Sequence, residues 1–265
     1  MKIARELLWL WPCLLAVPLM AQPQVGAGTC DSSSLSGNYS LTLTGRQFTG
    51  VTPELFEGAL EGVGTAAFDG LNKVTFTLTE NTNATRGVSA TLSGTYSIES
   101  NCVGVLTITS GDSATYALGV FNSGSNYIIT GQDGTYSLIG SGNTMPKTSC
   151  SSPTLSGAYS FNGNGFGLQS TTIASAGYLS GILTFDGAGN VSSGTWNVTP
   201  GYQVSSPVSV TGTYTVNSNC TATAAVKDSA GNSYAFVFTI TGANGSFIAT
   251  FANAQIIFTG SGRPL

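Results

Sequence analysis

SGTYSIESNC, Ser93–Cys102, returns as TGTYTVNSNC, Thr211–Cys220, an offset of 118 residues. Upstream, LSGNYS at Leu35–Ser40 returns as LSGAYS at Leu155–Ser160, and FDG at Phe68–Gly70 returns at Phe185–Gly187, offsets of 120 and 117. Three matches in one order at a nearly constant offset mark an internal duplication. A stretch of Gly, Ser, Pro and Lys at Gly142–Pro153 reads as the linker. The expected domains are 25–145 and 148–265.

Within each copy the hydropathy alternates with a period of two. Val74, Phe76 and Leu78 interleave with Thr75, Thr77 and Thr79, and Tyr234, Phe236, Phe238 and Ile240 interleave with Ala235, Val237 and Thr239. That is the signature of half-buried strands. Turn signals divide each copy into eight strands, from 36–44 to 134–140 and from 156–165 to 254–260. Short links between sequential strands predict an all-β protein of two tandem eight-stranded antiparallel meander β-barrels, because closure removes the sheet edges.

Strand parity adds a test. If the first strand of a meander runs upward, the turn after the fourth lies where the first began. Cys30 and Cys150 precede the first strands, and Cys102 and Cys220 follow the fourth. Disulfides Cys30–Cys102 and Cys150–Cys220 are therefore expected, which fits an oxidising compartment. The competing architecture is a pair of immunoglobulin-like β-sandwiches, since Trp196 lies between Cys150 and Cys220. The first copy has no Trp, and no cysteine has a Tyr two residues before it, which favours the barrels.

Residues 1–21 read as an export signal. Lys2 and Arg5 precede an apolar run, Leu7–Met20, that is interrupted by Pro12 and Pro18, and Ala21 suits a cleavage site. The expected location is secreted, periplasmic or at the cell surface, with no membrane span after cleavage.

Composition restricts the chemistry. The chain has no histidine, so Ser-His-Asp and Cys-His nucleophiles and His-ligated metals are excluded. Eight basic residues and a net charge of −4 argue against nucleic-acid binding. Gly, Ser and Thr (35, 33 and 35 residues) are assigned to turns and outward strand positions. Gly163–Gly167 is glycine-rich but leads to no helix that would cradle a phosphate. Asp69 and Asp186, in the FDG repeats, read as Asx-turn residues rather than metal ligands. No metal and no cofactor is expected.

The repeated elements L-S-G-x-Y-S, F-D-G and G-T-Y-[ST]-[IV]-x-S-N-C resemble a broad group of uncharacterised secreted bacterial β-barrel repeat proteins. Their expected fold is similar to the calycin and allene oxide cyclase barrels, and Gly37-Asn38-Tyr39 and Gly157-Ala158-Tyr159 resemble the Gly-x-Trp that opens lipocalin and avidin barrels. The resemblance implies a fold and no site, because no catalytic or ligand position of those families is matched.

Charge placement points to one region. By strand parity, Arg46, Glu54, Glu57, Glu61, Glu80, Arg86, Asp112 and Asp133 fall in or beside the links at one end of the first barrel. Of these, Arg46, Glu54, Glu57, Glu80 and Arg86 are the candidate ligand-binding rim. The long link Gly45–Glu57, with Phe48, Leu55 and Phe56, is a candidate mouth flap. The functional expectation is a non-enzymatic binding or interaction protein, for a small apolar ligand or an envelope or extracellular protein. The alternatives are a cofactor-free isomerase or cyclase, with Glu61, Glu80 and Arg86 as first candidates, and a structural surface protein.

Overall fold

The computed structural model describes residues 29–49, 55–132, 136–169, 172–200 and 206–265. The signal segment, Glu54 and Asp133 lie outside them. The strands are β1 (Ser36–Thr49), β2 (Leu55–Asp69), β3 (Lys73–Thr82), β4 (Val88–Ile98), β5 (Val103–Ser110), β6 (Ala114–Phe121), β7 (Asn126–Gln132) and β8 (Tyr136–Asn143) in the first copy. The second copy holds β9 (Ser156–Gln169), β10 (Thr172–Asp186), β11 (Asn190–Pro200), β12 (Val208–Val216), β13 (Thr221–Asp228), β14 (Ser233–Ile240), β15 (Phe247–Ala252) and β16 (Ile256–Pro264). Each set is an antiparallel meander closed on itself, β1 on β8 and β9 on β16. The sandwich alternative is thereby excluded.

The repeated motifs build one end of each barrel. Tyr39 meets Phe68 edge-on at 5.4 Å, and Phe68 meets Tyr96 at 5.1 Å; Tyr159, Phe185 and Tyr214 repeat this at 5.3 and 5.1 Å. The Tyr96 hydroxyl donates to the carbonyls of Ser32 and Leu35, and the Tyr214 hydroxyl to those of Ser152 and Leu155. Each Tyr thereby anchors a short 3-10 turn, Ser32–Ser34 or Ser152–Thr154, across the barrel end. Gly124 lies beneath the first of these turns at a φ of +85°, where a Cβ would stand 1.9 Å from the Ser34 carbonyl oxygen. The FDG aspartates accept from the turn that follows them: Asp69 from the backbone N–H of Leu71, Asn72 and Lys73, and Asp186 from those of Ala188 and Asn190.

Disulfides Cys30–Cys102 and Cys150–Cys220 join at these ends, with Cα–Cα distances of 4.9 Å in both. They close loops of 72 and 70 residues, each contributing roughly 4 kcal/mol in the chain-entropy account. Both pairs match the parity argument.

Two sequence expectations need correction. Much of the expected flap is strand: β1 continues to Thr49 and β2 begins at Leu55, paired through Phe48↔Phe56 and Thr49↔Leu55 after a register shift at Gln47/Phe48. The two ends of that link therefore continue the hairpin, and residues 50–54 lie outside the described residues. Glu61, expected near a link, lies within β2 opposite Thr44.

The barrels dock through the outer face of β2. Its inward residues, Leu60, Ala66 and Phe68, belong to the first core, whereas outward Ala59 and Val63 are also buried. Ala59 joins Leu168, Ala252 and Ile257 of the second barrel in a separate apolar cluster. Polar contacts surround it: Asn81 Nδ2 donates to Thr250 Oγ1 at 2.8 Å, Thr239 Oγ1 to the Gly64 carbonyl at 3.0 Å, and Arg86 Nε to the Asn253 carbonyl at 3.3 Å. The connecting segment is tied down as well. Met145 N–H donates to the Asn38 carbonyl, and its side chain packs with the second core.

Candidate functional site

Both barrels are closed at the disulfide end, so any internal site must open at the other. Equivalent inward positions differ sharply there. Leu41, Leu78, Leu118, Gly131 and Leu138 of the first barrel become Phe161, Trp196, Phe238, Phe251 and Phe258 at offsets of 118 to 120. Strand register supports the equivalence: Leu78 pairs with Ala90 and Trp196 with Val208, while Leu138 pairs with Gly131 and Phe258 with Phe251.

In the second barrel the rings form a column. Phe236 and Phe251 stack at 4.6 Å, Phe251 and Phe258 at 5.2 Å, and Trp196 lies nearly parallel to Phe251 at 6.4 Å. Gly177, standing where the first barrel has Leu60, makes room: a Cβ there would meet the Phe258 ring at 2.8 Å. At the open end, the Tyr234 hydroxyl and the Asn232 amide donate to Asp228 at 2.9 Å. Burial pushes the Asp228 pKa up, but hydrogen bonds from Asn232 and Tyr234 outweigh it and hold the carboxyl below its ordinary value.

The first barrel instead keeps a cavity of about 150 Å³, its walls formed by Leu43, Leu60, Leu78, Leu106, Ile108 and Ile129 among others. Gly111, Asp112 and Glu80 line it too. On β3 the alternation that turns Val74, Phe76 and Leu78 inward carries through to Glu80. Glu80 thus faces the interior at the mouth, where the second barrel has Val198. Burial, and then the Asp112 carboxylate, raise its pKa. Asp112 is held by its own turn, accepting from Ser113 N–H at 2.7 Å.

The remaining rim candidates go elsewhere. Arg46 lines a cleft of about 720 Å³ between the barrels, with Thr44, Asn164, Tyr178 and Thr259. Arg86 reaches the Thr82, Thr85 and Asn253 carbonyls, and its burial lowers its pKa. The Glu57 side chain, like Glu54, lies outside the described residues. Glu61 is 0% exposed at the junction. Its Oε2 accepts from Thr44 Oγ1 at 3.1 Å, while its Oε1 and the nearby Thr259 Oγ1 of the second barrel have no hydrogen-bond partner among the described residues. Burial raises its pKa to about 8, against smaller opposing effects of Thr259 and Thr44. Glu61, Glu80 and Arg86 therefore do not converge on one point. Asp112, which strand parity placed at this end, joins Glu80 at the cavity. Among the described residues no group of three or more His, Cys, Asp and Glu side chains could hold a metal ion.

No protein-family model matches the chain, and no curated protein does. Among solved structures, it is similar to a DUF3598-family protein of unknown function from Nostoc punctiforme, at 9% identity and a TM-score of 0.24, over 88% of this chain and 97% of that one.

Proposed function

We propose that this is a secreted, non-enzymatic binding protein whose first barrel holds a small apolar ligand. The observation that carries the reading is the apolar cavity of about 150 Å³ in one barrel of a duplicated pair whose other interior is filled by aromatic rings. An engineered cavity of about this size, lined by similar side chains, stays dry and takes up benzene or xenon. An eight-stranded barrel is either filled by side chains or holds one small ligand, and the two copies fall on opposite sides of that division. The two disulfides support a location outside the reducing cytosol.

The test is a toluene titration followed by methyl NMR. Saturable shifts are expected at Leu43, Leu78, Ile108 and Ile129, with none at Ile240 or Val226 of the second barrel. Leu138→Phe, which brings in the residue at the equivalent second-barrel position, should abolish them. Unchanged first-barrel methyls at saturating toluene would overturn the proposal.

A further inference from the structure

Glu80 is an inward-facing carboxylate at the end of an otherwise apolar cavity. Turning a carboxylate toward a barrel interior costs desolvation, and the fold does not require it, because Val198 occupies the same position of the second barrel and packs against its core. The filled barrel also turns a carboxylate inward at its open end, Asp228, but there the Tyr234 hydroxyl and the Asn232 amide satisfy it. Glu80 has no hydrogen-bond or ion-pair partner among the described residues, and Arg86, the cation closest in sequence, is turned toward Thr82, Thr85 and Asn253. Asp112 contributes a second negative group to the same mouth.

Resting on the reading of the first barrel as a ligand site, we infer that its ligand is a small hydrophobic ammonium ion, with the apolar body among Leu78, Ile108 and Ile129 and the ammonium held by Glu80 and Asp112. A purely apolar guest would cap the mouth and desolvate Glu80 with nothing in return. A carboxylate guest would place a third negative charge beside two others. An ammonium group donates charge-assisted hydrogen bonds to both carboxylates, and a single ring on a short stem is matched to the cavity's size.

The experiment measures binding of benzylammonium, toluene and benzoate to the whole mature protein at pH 7 by calorimetry and methyl NMR. Benzylammonium should bind at least ten-fold more tightly than toluene, benzoate should show no binding, and Glu80→Gln should remove the preference for the cation while leaving toluene binding intact. Should Glu80→Gln prove unstable, Glu80→Val serves in its place, since the second barrel accommodates valine at the equivalent position, Val198. Toluene binding as tightly as benzylammonium, or a cation preference that survives both Glu80 variants, overturns this inference and leaves the apolar site standing. No binding of either overturns the apolar site as well.

Discussion

The two barrels share a closed end and differ at the open one. Tyr39, Phe68 and Tyr96 in the first and Tyr159, Phe185 and Tyr214 in the second repeat the same ring contacts and the same anchored turn. Above that layer the first interior is aliphatic and hollow, and the second is a column of Trp196, Phe236, Phe251 and Phe258. The closed end is the part that the two copies share contact for contact, and the open end is where their interiors diverge. Their outer faces differ as well: Glu61 is buried in the junction, whereas Tyr178, at the equivalent position 117 residues on, is 63% exposed.

The largest way to break the comparison is to hollow the filled barrel. Phe251→Ala should lower stability by about 3–5 kcal/mol, read by urea denaturation with the fluorescence of buried Trp196 as reporter of the second barrel. Leu78→Ala, beside the existing cavity, should cost about 2 kcal/mol, the lower end for such a change, because the side chain has fewer neighbours to lose. Equal losses would argue that both interiors are equally packed. The disulfides should not discriminate: Cys30→Ser with Cys102→Ser, and Cys150→Ser with Cys220→Ser, should each cost roughly 4 kcal/mol given their similar loops.

A further effect concerns pH. The folded-state pKa of Glu61, about 8, lies above its ordinary 4.5. The contribution of this group is therefore fully present below pH 4.5 and is lost as pH rises toward 8, at about 1.4 kcal/mol per pH unit at most. Glu61→Gln should flatten stability across that window. Asp228 has the opposite sign, its carboxyl held below its ordinary value, so its contribution is lost as pH falls. A Glu61→Gln variant with the wild-type pH profile would show that the junction does not sense this proton. The smallest effect is expected at the paired turns: Asp69→Ala and Asp186→Ala should lower the melting temperature by similar amounts, since each carboxylate caps the same turn.

The closed ends were legible in the sequence because they are made by residues close to a repeated motif. Gly-x-Tyr, FDG and Gly-Thr-Tyr recur at fixed offsets, and strand parity alone paired the cysteines. Parity also placed Glu80 and Asp112 at one end. It could not separate Glu80 from Glu61, because inward and outward directions depend on register and on what covers the outer face. Glu61 reads as a rim charge until the second barrel is seen to lie over it. The cavity was illegible for a related reason: it depends on the summed volume of eight strands, and the exchange of Leu78 for Trp196 or of Gly131 for Phe251 has meaning only once the strands are closed into a ring.

The most direct measurement is xenon uptake, by diffraction from crystals pressurised with the gas. Density is expected in the first barrel among Leu78, Ile108 and Ile129, with none in the second barrel between Trp196 and Phe258. Equal occupancy of both barrels, or an empty first barrel, would contradict the division between a hollow copy and a filled one.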